Sequence, residues 1–440
     1  MKRSLGKFFI KVAIAILAVV VFYNCYSAWL TDQINQLYQK RQIAVNHSSG
    51  KPEKDKGNII LQEALKGNNL VFLGSSELTA PVPENPRNMM PNNLYSGDVI
   101  YAGHAHVQNA LHAMNVGANS DAFSGKDIAI IESLQWYQGE DTPLDAFFSN
   151  FSELQLYEFL HNSRISDESK NYLCRRYVQL ESGHKEDAFL SVEKAAEENS
   201  LWNTINTSIM NGLKEAGYEL VEGEYAYQES YILAETYSGN NIVDKIIYQL
   251  LRPYYYLRYK VLSLKDKYNA YQWLKSISEE DQREPVMIDW EEVYRTADAE
   301  GKVACTNNDL YVYDEYYTDY LEEKWEKLKD RDKDTPLLES KEWDDYEFFL
   351  QVCKELGLKP YIVSMSTNGR YYDYIGMGKE KRDSLYDRIA QLSNEYGFDC
   401  LKTGDKEYEP YFYCDVMHLG WKGWPYVLQN IIEHFEEQDR

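Results

Sequence analysis

Positive charge is scarce in this chain. Its 440 residues contain 46 Lys and Arg against 70 Asp and Glu, which gives a formal net charge of -24. Four of the positive charges lie within the first thirty residues, which hold no acid, so the rest of the chain is more acidic still. The field of such a body repels nucleic acids and anionic polymers. We therefore expect no nucleic-acid binding and no broad polyanion-binding face.

Cysteine is also sparse, and its spacing matches no metal or redox motif. The six cysteines form no C-x-x-C pair and no zinc pattern. One of them, Cys25, lies in an apolar N-terminal run, and the five others are an odd number, so they cannot all pair within the chain. A Cys400–Cys414 disulfide and buried free thiols both remain open. His104, His106 and His112 lack clear accompanying ligands, so we predict packing or groove lining rather than a metal site.

Long apolar runs are absent except at the N-terminus. Val12 to Leu30 are nineteen residues without a charge, enough to cross the roughly 30 Å hydrocarbon layer as a helix. The basic flank before them keeps the N-terminus in the cytoplasm by the positive-inside rule. A cleaved signal peptide is the alternative, but its apolar region would be shorter and end in small residues. Residues 1–30 are therefore predicted to be an uncleaved single-pass anchor in the cell membrane, with the remainder extracytoplasmic.

The remaining residues divide by composition into a linker and a body. Residues 31–68 are polar and are predicted to form a stalk, and residues 69–440 an α/β catalytic domain. Short apolar runs typical of buried parallel strands occupy 70–73, 127–131, 359–364 and 398–401, and a further short run lies at 99–101. Helical patterns at 107–114, 344–356 and 383–396 alternate with them, which indicates a doubly wound α/β sheet. Residues 143–340 break the rhythm with helical patterns, including 201–213 and 242–259, and predict a large helical insertion.

Two short motifs carry candidate chemistry. Ser75 and Ser76 follow Gly74 at the end of the first predicted strand, where α/β sheets bind ligands. Asp415 and His418 lie three apart near the C-terminus, so the carboxylate can orient the imidazole as a base. Alone, either motif is also typical of an N-cap or a surface turn. Together they supply a serine with the adjacent base that it needs.

The pair of motifs resembles the two ends of the SGNH/GDSL esterase family. Gly74-Ser75-Ser76 is similar to the Gly-Asp-Ser block, which makes Ser76 the nucleophile, and Asp415-x-x-His418 is similar to the final block. The resemblance implies oxyanion donors at the Ser76 backbone, at Gly103 and at Asn368.

Further segments narrow the resemblance to the DltD family of D-alanyl transfer proteins in Gram-positive teichoic acid biosynthesis. The similar segments, in chain order, are the N-terminal anchor, Gly74-Ser75-Ser76-Glu77-Leu78, Ser133-Leu134-Gln135-Trp136, Ile288-Asp289-Trp290, Thr306-Asn307-Asn308, Asn368 to Gly376, and Asp415 to Trp424. The chain departs from that family at Leu134 and near Ser366, where the family usually has Pro.

The resemblance implies transfer of D-alanyl esters to hydroxyls of teichoic or lipoteichoic acid, without a cofactor. The donor would come from a membrane-embedded acyltransferase or a carrier protein. Glu77 is a candidate partner for the D-alanine ammonium, with Trp136 and Tyr372 as further pocket residues; an ordinary first-turn acid is the alternative for Glu77. Two other functions remain open, namely an esterase or thioesterase acting on D-alanyl (thio)esters and a non-catalytic docking protein for the carrier.

Overall fold

The computed structural model describes residues 2–196, 229–230, 232–234, 242–280 and 283–438. Within them, one parallel sheet has the strand order β2-β1-β3-β4-β5. Its strands are β1 Leu70–Leu73, β2 Val99–Ala102, β3 Ile128–Ser133, β4 Tyr361–Met365 and β5 Cys400–Lys402. Leu73 pairs with Ala102 on one side and with Ile130 on the other. The four predicted strands are confirmed as β1, β3, β4 and β5, and the short run at 99–101 forms β2. Strands β1 to β4 are buried, whereas β5 is half-buried with Lys402 exposed.

Two apolar cores cover the two faces of the sheet. Alternate residues of a strand point to opposite faces, so Val71 and Leu73 join one core while Leu70 and Phe72 join the other. The first core is closed by helices Ile59–Ala64, Asn109–Ala118, Glu342–Leu356 and Lys379–Tyr396. The second is closed by helices Trp290–Ala304 and Gly423–Gln438. Helices on both faces of a parallel sheet confirm the doubly wound α/β prediction.

The described chain between β3 and β4 is mainly helical. Its longer helices are Leu144–Asn150, Glu153–His161, Asp167–Ala196, Ile242–Ser276 and Trp290–Ala304. The predicted helix at 201–213 lies outside the described residues. Shorter helices and helical turns of the chain are Gln42–Asn46, Pro52–Asp55, Ser76–Thr79, Pro86–Met89, Ser120–Phe123, Leu134–Tyr137, Asp314–Tyr316, Tyr317–Leu321, Glu322–Lys324, Trp325–Leu328, Gly369–Tyr374 and Gly404–Lys406.

The N-terminal helix runs from Lys2 to Gln39 without a break. Its section Ile10–Gln39 is long and apolar enough to cross a membrane, with a mean hydropathy of 1.9. Residues 10–22 are exposed, whereas Leu30, Ile34 and Tyr38 are buried. The same helix therefore has an uncovered apolar end and an end that belongs to the body.

Residues 31–68 differ from the predicted stalk. Ile34, Tyr38, Val45 and Ile60 are buried in the core on the first face of the sheet. Although this segment is polar on average, the helix has an apolar residue at every fourth position, at Leu30, Ile34 and Tyr38. This spacing places the three side chains on one side of the helix. The segment is thus packed against the body and does not lift it away from the anchor.

All six cysteines are free thiols. Cys400 packs against the core on the first face of the sheet, and Cys414 is buried in the core on the second face. Of the two possibilities that the sequence left open for Cys400 and Cys414, the structure has the free thiols.

Candidate active site

The candidate site lies at the carboxyl ends of β1 and β3. In the strand order 2-1-3-4-5, the connections from these two strands leave to opposite sides, and ligands bind at such a switch point. Ser76 opens the short helical turn after β1, and Leu134–Tyr137 form the turn after β3. The predicted serine therefore stands at the edge of the sheet that the fold leaves available for chemistry.

Ser76, His418 and Asp415 form a continuous hydrogen-bonded chain. The Nε2 atom of His418 lies 3.0 Å from Ser76 Oγ, and its Nδ1 atom lies 2.6 Å from Asp415 Oδ2. Asp415 Oδ1 also accepts hydrogen bonds from the backbone N–H groups of Met417 and His418, at 2.8 Å each. The carboxylate thus fixes both the turn and the ring, and leaves Nε2 directed at the serine.

The surroundings of His418 favour its protonated form. Burial lowers the pKa of this imidazole, but the hydrogen bond and charge of Asp415, together with the charge of Glu77, outweigh burial and raise it above the ordinary value. An imidazole that gains basicity in this way is suited to accept a proton from a hydroxyl.

The neighbouring serine has a different environment. Ser75 is buried, and its Oγ accepts a hydrogen bond from the backbone N–H of His106 at 2.8 Å. Of the two serines after Gly74, it is therefore Ser76 whose hydroxyl contacts His418, as the sequence comparison with Gly-Asp-Ser predicts.

Glu77 braces the serine turn from the interior. It is 2% exposed; its Oε2 accepts from the Ser75 backbone N–H at 2.8 Å, and its Oε1 accepts from Trp136 Nε1 at 3.2 Å. Burial raises the pKa of Glu77, and the nearby His418 opposes that shift. Glu77 thus lies in the first turn of the helical segment Ser76–Thr79, as the alternative prediction had it, and both of its oxygens are bonded within the chain.

The ends of β1 and β2 approach each other closely at Gly103. This residue has a φ of 137°, and a Cβ atom added to it would lie 2.1 Å from the carbonyl oxygen of Gly74. Only glycine permits this approach of the β2 and β1 ends. The predicted oxyanion donor is therefore adjacent to the Gly74-Ser75-Ser76 turn.

His112 and Trp136 pack together behind this contact. Their rings stack at 5.8 Å between centroids, and both residues are buried. Burial lowers the pKa of His112 to about 3, so the ring is neutral, with a hydrogen bond to the Gly74 backbone opposing the shift. Among the described residues no group of His, Cys, Asp and Glu is arranged to hold a metal ion.

Asn368 has structural bonds that the sequence did not predict. Its Oδ1 accepts from the Tyr371 N–H at 3.3 Å and caps helix Gly369–Tyr374, while its Nδ2 donates to the Leu310 carbonyl at 2.8 Å. Its backbone N–H donates to the Val416 carbonyl at 3.1 Å. One hydrogen of the amide is thus committed to Leu310, and the residue ties the Asp415–His418 loop to helix Gly369–Tyr374.

Tyr372 and Gln135 lie together behind the loop that carries Asp415 and His418. Tyr372 is buried, which raises the pKa of its phenol, and a hydrogen bond with Gln135 opposes the shift. The Gln135 amide also contacts the sulfur of Met417, inside the Asp-x-x-His loop. Gln135 was not singled out from the sequence, although its place directly after β3 was a usable signal.

Contacts away from the Ser76–His418 pair hold the loop that carries Asp415 and His418 in place. Arg382 and Glu407 are both fully buried and form a bidentate pair with two 2.8 Å contacts. The Cys414 N–H donates to the His418 carbonyl at 3.0 Å. Since Arg382 lies in helix Lys379–Tyr396, this pair joins the helix to the segment just before the loop, a contact that no local pattern revealed.

Comparison with known proteins gives the family of the chain. The model of a family described as DltD protein matches residues 47–436. The chain belongs to the DltD family. Protein DltD of Bacillus subtilis (strain 168) is 27% identical over 428 residues, covering 96% of this chain and 96% of its own length. Protein DltD of Staphylococcus aureus is 23% identical over 429 residues, with 97% and 96% covered.

A third DltD relative extends the comparison. Protein DltD of Lacticaseibacillus rhamnosus is 20% identical over 377 residues, which cover 86% of this chain and 79% of the relative. The DltD family takes part in the D-alanylation of teichoic acids. The resemblance first drawn from seven ordered segments is thereby confirmed at the level of the family.

Proposed function

We propose that this chain is a membrane-anchored, extracytoplasmic serine acyltransferase that transfers D-alanyl groups onto teichoic or lipoteichoic acid. One observation carries the proposal. Ser76 Oγ, His418 Nε2 and Asp415 Oδ2 are joined by contacts of 3.0 and 2.6 Å at the switch point of the sheet. Membership of the DltD family supports D-alanine as the acyl group.

In the first half-reaction, His418 Nε2 takes the proton of Ser76, and the serine oxygen attacks the carbonyl carbon of a D-alanyl ester or thioester. Asp415 stabilises the imidazolium that forms. The backbone N–H groups of Ser76 and Gly103 are placed to donate to the oxyanion, with the remaining amide hydrogen of Asn368 as a third candidate. The bond to the leaving group then breaks, and the leaving group receives the proton from His418.

In the second half-reaction, a teichoic acid hydroxyl gives its proton to His418 and attacks the acyl carbon on Ser76. The D-alanyl–serine bond breaks, the serine oxygen recovers the proton, and a new D-alanyl ester is released. One oxygen ester replaces another, so the step requires neither a cofactor nor an energy source. A membrane-embedded acyltransferase or a carrier protein would supply the donor.

The N-terminal helix supports placement at the cell membrane. Its apolar section follows Lys2, Arg3 and Lys7, which favours a cytoplasmic N-terminus and an extracytoplasmic body. Anchoring beside the donor would raise its effective concentration and offset the repulsion between an acidic body and an anionic polymer.

The deciding experiment compares two hydroxyl deletions within one turn. The full-length chain is reconstituted with a D-alanyl thioester and a glycerol-phosphate oligomer, as wild type, Ser76→Ala and Thr79→Ala. We expect Ser76→Ala to lower transfer by on the order of a thousandfold or more, because the nucleophile is lost. Thr79 is exposed and caps the same turn, so Thr79→Ala should retain most of the activity.

Mass spectrometry separates the alternatives. With donor but no acceptor, wild type should carry a D-alanyl ester on Ser76. An unmodified Ser76 together with full transfer by Ser76→Ala would exclude the acyl-enzyme and favour a docking protein. Release of free D-alanine in preference to the acylated oligomer would instead identify a hydrolase.

A further inference from the structure

A row of apolar side chains is left uncovered on helix Ile242–Ser276. Ile242, Ile246, Leu250, Leu257 and Val261 are 74%, 56%, 75%, 63% and 61% exposed. Their spacing of four or seven residues keeps them on one side of the helix. Water-facing helices of soluble domains rarely carry a continuous row of this kind, and such a row marks a contact surface.

The other side of the same helix is fixed to the body. Tyr248 and Tyr255 are buried, the Tyr248 hydroxyl lies 2.8 Å from His161 Nε2, and the ring of Tyr259 stacks on Tyr157 at 4.5 Å. The apolar row is thus presented outward by a helix that is itself held in place.

The row begins where the N-terminal helix becomes exposed. The Tyr23 hydroxyl donates to the Lys260 carbonyl at 3.1 Å, Lys267 Nζ donates to Ser27 Oγ at 2.8 Å, and the rings of Trp29 and Tyr271 lie 5.5 Å apart. Residue numbers rise together in these three pairs, so the two helices run in the same direction.

This register sets the position of the row relative to the apolar helix. Val261 follows Lys260, the partner of Tyr23, so this end of the row lies beside the point where the exposed section of the N-terminal helix ends. From there the row continues past Pro253 to Ile242, over about 28 Å of helix at 1.5 Å per residue.

The charge of this stretch is opposite to that of the chain. Residues 242–261 contain Lys245, Arg252, Arg258 and Lys260 against a single acid, Asp244, whereas acids outnumber bases in the whole sequence. Arg258 is paired with Glu153 of the body, so Lys245 and Arg252 are the exposed bases of this stretch. An exposed apolar row with basic and tyrosine side chains beside it is typical of helices that lie in the membrane interface. Basic residues there are attracted to anionic lipid headgroups.

We propose that residues 242–261 form a second membrane contact, in which the apolar row enters the outer leaflet of an anionic bilayer beside the N-terminal helix. This inference rests on the membrane span of the proposed function, and it is independent of the acyl-transfer chemistry. Two attachments of one rigid body fix its tilt over the lipid surface, whereas one attachment does not.

Depth-dependent quenching tests the proposal on the full chain. Cys25→Ala and Cys400→Ser remove the two thiols that are not buried. Single cysteines at Leu250 and Leu257 are then labelled with the environment-sensitive dye NBD, and the protein is reconstituted in vesicles of phosphatidylglycerol and phosphatidylethanolamine. We expect blue-shifted emission and loss of most of the intensity with lipids brominated near the headgroup.

Two further label positions make the result decisive. Glu380, exposed on helix Lys379–Tyr396, is the aqueous control and should be unaffected by the brominated lipids. Val19 tests the N-terminal helix itself. Quenching at Val19 by lipids brominated deep in the acyl chains, with control-like emission at Leu250 and Leu257, would overturn the second contact alone, and no quenching at Val19 by those lipids would overturn the span.

A protein partner is the competing occupant. A photo-cross-linking amino acid in place of Leu250 should yield mainly lipid adducts in cell membranes. If it yields mainly adducts with one protein, the row is a protein interface and the membrane proposal is wrong.

Discussion

Glu77 is next to the candidate nucleophile in the sequence, and it stabilises the serine turn from the interior. Its two oxygens separately accept the Ser75 N–H and the Trp136 indole N–H, and so join the turns after β1 and β3. The sequence predicted a first-turn acid at this position, but not its contact with Trp136, which lies 59 residues away.

Glu77→Gln should destabilise the fold. A single amide oxygen replaces two acceptors, so one of the two buried N–H groups loses its partner, at a cost of about 1–3 kcal/mol. Urea unfolding of the purified chain measures the change. The matched control is Glu380→Gln on the surface, which should stay within about 0.5 kcal/mol of wild type; equal effects for both variants would contradict the bracing role.

Asp415→Asn should change both the rate and its pH dependence. His418 must be neutral to act as a base, and its raised pKa places the acidic limb of kcat/KM above that of an unperturbed histidine. Without the charge of Asp415 the pKa falls, so the limb should move to lower pH while kcat falls by on the order of 10⁴-fold.

The pH profile of D-alanyl transfer is the measurement for this variant. Asp387→Asn, which alters an exposed acid paired with Lys402, should keep the wild-type limb. A lower rate with an unmoved limb would mean that Asp415 affects the rate without setting the basicity of His418.

At the scale of elements, the junction of β1 and β2 is set by Gly103. A Cβ there meets the Gly74 carbonyl at 2.1 Å, so Gly103→Ala has to push apart the two strand ends that carry the site. We expect a loss of about 3 kcal/mol or more of unfolding free energy, and loss of transfer activity.

Gly125→Ala is the control for backbone conformation. Gly125 also has a positive φ, 71°, but has nothing within 4 Å of an added Cβ. It should cost only the conformational strain of about 1–2 kcal/mol. Thermal unfolding compares the two variants, and equal losses would show that the contact with Gly74 has no effect of its own.

The strands and the N-terminal helix show which elements sequence patterns can predict. Four strands are short apolar runs between turn residues, and that local signal predicted them, whereas β2 was identified only as a short apolar run. The burial of Ile34 and Tyr38 depends on a helix more than two hundred residues later, which packs beside the N-terminal helix. A pairing of that range leaves little trace in local composition, and the segment resembled a polar stalk.

At the scale of the whole molecule, the site joins the two ends of the body. Ser76 and His418 are 342 residues apart, and the parallel sheet brings them to 3.0 Å. The sequence contained both motifs, and topology implied that they share an edge. It could not reveal that the amide of Asn368 bonds Leu310, because this contact follows from the packing of the insertion.

Net charge should make transfer depend on salt. A chain with a net charge of -24 repels an anionic polymer over a distance that shrinks from about 30 Å to about 8 Å as ionic strength rises from 0.01 to 0.15 M. We expect kcat/KM for a glycerol-phosphate oligomer to rise over this range, while the value for free glycerol as acceptor should barely change. A falling value for the oligomer would indicate a local basic patch that binds it.

The unbroken N-terminal helix determines the rotation of the body about the axis of the helix. An α-helix advances 1.5 Å and turns about 100° per residue. Because Leu30, Ile34 and Tyr38 are held in the core, one residue inserted between the exposed section and Leu30 would swing the body through about 100° while hardly raising it. Seven inserted residues would restore the original bearing to within about 20° and lift the body by about 10 Å. The direction in which the Ser76 turn faces is thus set by the number of residues in one helix.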